Sequence, residues 1–174
     1  FEKVLAEKGT PNTFTDSRDG MAYKTVQIGD LIWMAENLNY NAGNGSYSYE
    51  NNSQISNVYG RLYEWETAKT VCPAGWRLPT DEEWNYLVTK YGGYSFAGRE
   101  LKEGGSSGLS IKLAGQHYYY SPQEKEFKYL GQRGSYWTLT ETGQRQAVSY
   151  HFFEQESIDR SPDYVKTYGF SVRC

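Results

Sequence analysis

CPAGWRLPTDEEWNYLVTKYGG, from Cys72 to Gly93, carries more structural information than any other stretch of this chain. Thr80 is followed three residues later by Glu83, which predicts a capping box: the Thr hydroxyl accepts from the Glu83 amide, and the Glu carboxylate reaches back to the Thr80 amide. Acidic residues at 81, 82 and 83 face the positive end of the helix dipole. Trp84, Leu87, Val88 and Tyr91 then repeat at i, i+3, i+4 and i+7, which marks one buried stripe, and Gly92-Gly93 stops the helix.

Working outward, Ala22 to Ile28 and Leu31 to Met34 read as a β-hairpin turned at Gly29-Asp30. Residues 41 to 57, rich in Asn, Gly and Ser, predict a long surface loop. A helix is expected from about Tyr59 to Thr70, with Leu62, Trp65 and Ala68 inward. Beyond a second glycine-rich loop, Gly92 to Gly108, the pattern changes to short strands: Ser110 to Ala114, His117 to Tyr120, Glu126 to Leu130, Ser135 to Leu139, Gln146 to Phe153 and Gly169 to Cys174. Two helices early and strands late predict an α+β domain, with the helices packed on one side of a twisted antiparallel sheet. Residues 1 to 15 read as a separable N-terminal arm on a domain of residues 16 to 174.

The chain has 174 residues, enough for one domain, and holds no 18-residue apolar run that would span a membrane. Its 17 Tyr and 5 Trp can supply core area that its few aliphatic residues do not, since each aromatic buries roughly 150–250 Å². All five tryptophans are assigned to the core. A formal charge of −3 without any basic block argues against nucleic acid as a partner. Cys72 and Cys174 are the only cysteines, so they form either one disulfide or two thiols.

Candidate chemistry is sparse. His117 and His151 are the only histidines, no HExxH or paired-Cys spacing is present, and no metal site or cofactor is expected. Asp16 to Gly20 lacks the alternating oxygen ligands of a calcium loop and reads as a turn. The serines sit in loop composition without a GxSxG turn, and Glu82 and Glu83 are explained by helix capping. Asp159 and Asp163 form a second carboxylate pair. What remains is aromatic surface: His117, Tyr118, Tyr119, Tyr120, Tyr129, Tyr136 and Tyr150 are the candidate ligand-binding residues. Strand alternation must turn at least one of three consecutive tyrosines outward, and exposed Tyr suits recognition of sugars or proteins. The competing reading is that these residues replace missing aliphatics in the core.

The Cys72–Gly93 run resembles the Fibrobacter succinogenes major paralogous domain family, together with DGMAYKTVQIGDLIWMAENLNY (Asp19–Tyr40), YGRLYEWETA (Tyr59–Ala68), AGRELK, YWTLTE and the closing GFSVRC. The blocks span most of residues 16 to 174, although the segment from Tyr59 to Cys72 is shorter than in many members. RLPTDEEW alone is shared with formylglycine-generating enzymes and other relatives of the C-type lectin-like fold. The resemblance implies such a fold and a bacterial secreted or cell-surface location, with no assigned activity. It also implies a Cys72–Cys174 bridge in an oxidising compartment, closing a loop of about a hundred residues for up to ~4.7 kcal/mol on the chain-entropy model. Formylglycine-generating chemistry needs paired cysteines near the C-terminus, and one stands there, so it is not carried over.

The functional expectation is a non-catalytic adhesion module that binds protein or glycan at the cell surface through its aromatics. The alternative is a subunit of an extracellular filament, whose arm (Phe1, Val4, Leu5, with Phe14 at its exit) adds a strand to the next copy. An enzyme is the least favoured class.

Overall fold

The computed structural model describes residues 12–121 and 123–174. Phe1, Val4 and Leu5 of the expected arm lie outside the described residues. Strand β1 (Asn12–Thr15) pairs antiparallel with β2 (Ala22–Ile28), which pairs with β3 (Leu31–Met34). The β2–β3 hairpin has the predicted bounds, with Ile28 opposite Leu31 across Gly29-Asp30. Phe14 sits in β1, edge-on to Trp76 at 5.1 Å, so the end of the expected arm is part of this first sheet.

Between positions 41 and 71 the chain is more structured than its composition suggests. Strand β4 (Ser46–Tyr47) pairs with β5 (Leu62–Tyr63), and helices α1 (Ser53–Tyr59) and α2 (Trp65–Val71) flank the second of these. The expected helix from Tyr59 to Thr70 is therefore divided. Leu62, Trp65 and Ala68 are all buried, but Leu62 reaches the interior from a strand. Helix α3 (Asp81–Lys90) carries the capping box as read: the Glu83 amide donates to Thr80 Oγ1 at 3.3 Å and the Thr80 amide to Glu83 Oε2 at 2.8 Å. A short α4 (Ala97–Leu101) follows.

The second half forms a curled sheet from β6 (Ala114–Ser121), β7 (Glu124–Leu130), β8 (Arg133–Gly143), β9 (Gln146–Phe153) and β10 (Ile158–Val165), in the order β10-β9-β8-β6-β7. Its pairs are antiparallel except β6–β8, which meet in parallel at Gly115 and Gly134. Both glycines are required there. A Cβ on Gly134 would lie 2.3 Å from the Lys112 carbonyl, and one on Gly115, at φ +72°, would lie 2.6 Å from that of Lys128. Beyond this contact the strands splay, and the C-terminal segment enters the gap: Gly169 exchanges backbone bonds with His117, and the Ser171 amide bonds to Ser135.

This architecture corrects the expected C-type lectin-like α+β fold of two helices on a twisted antiparallel sheet. Strands predominate, the sheet is mixed and curls into a half-barrel, and the helices are small. A capped amphipathic helix is a local solution to end-group satisfaction and burial, and it leaves sheet topology open. Strand β10 went unread because IDRSPDYV is an edge strand with Pro162, a bulge and mostly exposed side chains, so no apolar alternation marks it.

Cys72 and Cys174 are joined by a disulfide with Cα atoms 5.8 Å apart. Next to it, Arg173 is wholly buried and makes no ion pair among the described residues. Its guanidinium donates to Asn37 Oδ1 at 2.7 Å and to the carbonyls of Met34, Leu109 and Ser110, which binds the closing residues to β3 and to the loop before β6. Lys102 plays a similar part at the β9–β10 connection, where its ammonium reaches the carbonyls of Phe153, Glu154 and Gln155 at 2.7–2.8 Å. Of the five tryptophans, Trp33, Trp65, Trp84 and Trp137 are buried, and Trp76 is half-buried.

Candidate functional site: the tyrosine face of the sheet

Period-two alternation divides the side chains of β8 and β9 between two faces. Tyr136, Tyr150 and Phe152 turn toward α3, where their rings lie 5.6, 5.6 and 5.9 Å from that of Trp84. Ser135, Trp137, Ser149 and His151 turn the other way. Tyr136 and Tyr150 are thus core residues, and their expected place on a ligand-binding surface is corrected by their complete burial. Tyr150 also donates to Asp81 Oδ1 at 2.8 Å, which fastens the start of α3 to the sheet. Burial, together with this contact, pushes its phenol pKa far up.

On the reverse face a chain of hydrogen bonds crosses three strands. Tyr118 donates to Gln116 Oε1, the Gln116 amide donates to Ser135 Oγ, Ser135 lies 2.8 Å from His151 Nδ1, and His151 Nε2 lies 2.9 Å from Ser149 Oγ. A neutral imidazole serves both contacts, accepting from one serine hydroxyl and donating to the other. His151 is neutral in this arrangement. Burial, with the Arg133 charge nearby, holds its pKa well below the ordinary histidine value.

Over this polar floor stand tyrosines in mutual contact. Tyr118 is 5.7 Å from Tyr120, 6.3 Å from Tyr129 and 4.9 Å from Tyr168, while Tyr164 lies 5.7 Å from Tyr168 and 4.9 Å from His151. Tyr120 and Tyr129 are 53% and 42% exposed, which makes them the outer surface of the cluster. Beside it an open pocket of about 570 Å³ is lined by Tyr94, Arg133, His151, Asp159, Arg160 and Tyr164 among others. Arg160 is committed to Asp81 through a fork of 2.7 and 2.5 Å, and these hydrogen bonds hold the Asp81 carboxyl below the usual carboxylate range. Among the described residues, neither Arg133 nor Asp159 has an ion-pair partner, and Arg133 Nε is buried without a hydrogen-bond acceptor.

The structure brings together three of the seven aromatic residues singled out in the sequence: Tyr118, Tyr120 and Tyr129. His117 and Tyr119 alternate to the opposite face. There His117 stacks on Tyr47 at 4.0 Å and packs on Phe127 at 4.7 Å, and burial pushes its pKa down to about 4. Lys125 covers Tyr119 at 5.1 Å. Sequence reading missed Tyr164, Tyr168 and Arg133 as neighbours of this face. The usable signal was the i, i+2 spacing of Tyr118 and Tyr120. Nothing local connects it to Tyr164 and Tyr168, which arrive through the β10 pairing and the inserted C-terminal segment.

Among the described residues, no group of three or more His, Cys, Asp or Glu side chains is placed to hold a metal ion, and no helix is long and apolar enough to cross a membrane. No curated protein and no solved structure matches the chain. The model of the Fibrobacter succinogenes major domain matches residues 26–174, from the middle of β2 through the disulfide-bonded Cys174, and the chain belongs to that family.

Proposed function

We propose that this protein is a non-catalytic extracellular recognition module and that its tyrosine face is the binding surface. The observation that carries this reading is the contact network of Tyr118, Tyr120, Tyr129, Tyr164 and Tyr168, exposed at Tyr120 and Tyr129 and held from beneath by the Gln116–Ser135–His151 chain. Tyrosines already packed against one another lose little rotamer freedom on binding, and each offers an apolar ring and a polar tip. The Ser135–His151 pair supports a structural role over a catalytic one, because both residues are buried and both ring nitrogens are occupied by hydroxyls. The disulfide suits an oxidising compartment.

Recognition is favoured over strand-swapped assembly because both outer strands of the five-stranded sheet are poor templates. Strand β7 alternates Glu124, Lys125, Glu126 and Lys128, and β10 carries Pro162 and a bulge. The test is binding of labelled protein to immobilised bacterial cell envelopes. The Tyr120→Ala/Tyr129→Ala variant should lose at least about fivefold in affinity with an unchanged melting temperature. Equal binding by variant and parent would reject the tyrosine face as the recognition surface.

A further inference from the structure

The pocket beside the tyrosines is more specific in chemistry than the face itself. We propose, resting on the recognition reading above, that it takes an uncharged saccharide, with Arg133 as donor, Asp159 as acceptor and Tyr164 as the wall against which the sugar ring lies.

Three observations lead to that class. First, the charges free for a ligand balance. Arg160 is spent on Asp81, His151 is neutral, and Arg133 and Asp159 supply one positive and one negative group, neither in an ion pair among the described residues. An anionic ligand meets Asp159 and a cationic one meets Arg133, so like-charge contact disfavours both. Second, a site that offers an unpaired donor together with an unpaired acceptor is best matched by a group that both donates and accepts. A hydroxyl does so, and adjacent hydroxyls can bridge a carboxylate oxygen and a guanidinium at once. Arg133 lines the pocket without an ion-pair partner among the described residues, so its guanidinium is the donor with most to gain. Third, the walls are amphipathic. Tyr164 is half-buried and held by contacts with His151, Tyr168 and Phe170, and the part of the phenol ring that lines the pocket offers apolar surface to the C–H face of a sugar. The volume, about 570 Å³, is in the range of small-molecule sites, and the open mouth leaves room for a chain to continue across Tyr120 and Tyr129.

The experiment is an array of purified neutral, uronic-acid, sulfated and amino saccharides, followed by titration calorimetry of the best binder at low and high sodium chloride. Neutral saccharides should bind, with less than about twofold change in affinity across the salt range, because no net charge is neutralised. Asp159→Asn, an exposed and isosteric change, and Arg133→Lys, which keeps the charge but loses the planar fork, should each weaken binding by about tenfold. Arg133→Met should abolish it, with melting temperatures monitored for all three. Binding confined to acidic or amino saccharides, or affinity that collapses with salt, overturns the inference. So does undiminished binding by Asp159→Asn and Arg133→Lys. If no saccharide binds while cell envelopes are still captured through Tyr120 and Tyr129, the sugar assignment fails and the recognition reading survives. If envelope capture also fails, both fall.

Discussion

On the face of the five-stranded sheet that meets α3, Tyr136, Tyr150 and Phe152 close around Trp84. On the reverse face, residues drawn from the same strands form a hydrogen-bonded chain that ends at the phenol of Tyr118. Adjacent residues thus do different work: Tyr150 anchors a helix, while His151, one position on, orients two serines. The first face supplies burial, which is strong and non-directional. The second supplies direction, since a satisfied polar network fixes one geometry and is costly to leave half-made. A protein with few aliphatic residues can afford an exposed tyrosine cluster because the opposite face already carries the stability.

The sharpest way to break this contrast is at Trp84. Trp84→Ala should cost about 3–5 kcal/mol in urea unfolding, and a loss below 1 kcal/mol would mean that α3 is not what covers the sheet. The next largest effect is expected from pH. His151 and His117 are both buried neutral, with pKa values below the unfolded value of 6.5. The unfolded chain therefore takes up protons that the folded chain refuses. Stability is full above pH 6.5 and falls below it by up to ~1.4 kcal/mol per pH unit for each ring, until the folded pKa is reached. Unfolding free energies measured between pH 7.5 and 5 should show this slope, and His151→Gln should remove about half of it. A flat profile would show that the rings are protonated or solvated in the fold.

A smaller loss, about 1–3 kcal/mol, is expected for Ser135→Ala, which strands the Gln116 amide and His151 Nδ1 without a partner. Stability within 0.5 kcal/mol of the parent would imply that water replaces the hydroxyl. Tyr120→Ala should have the least effect on folding, within about 0.5 kcal/mol, because its ring is half in solvent. If it instead destabilises as much as Ser135→Ala, the tyrosine cluster is part of the core, and the two faces differ less than proposed.

The sequence made local structure legible where one physical rule acts alone. The Thr80–Glu83 capping box, the Gly29-Asp30 hairpin and strand β9 are all found as read, because capping, turn geometry and alternation are set by neighbours a few residues apart. The Cys72–Cys174 bridge followed from the resemblance. The sheet's order and curl were not legible, since they depend on two glycines, Gly115 and Gly134, that permit a close parallel contact between strands nearly twenty residues apart. The site shared that fate. Tyr118 and Tyr120 could be assigned to one face in principle, whereas Tyr164, Tyr168 and Arg133 join them only once β10 and the C-terminal segment have found their places.

The disulfide also decides how the molecule would respond to being pulled. Tension applied across the described chain from its first strand to Cys174 passes through the covalent bridge to Cys72, so the loop between the two cysteines, which stand 102 positions apart, is outside the load path. Helix α3, the five-stranded sheet and the tyrosine face all lie within that loop. Force would be borne by the first three strands and the β4–β5 region, and the surface proposed to grip a ligand would keep its shape while the remainder of the domain is stretched.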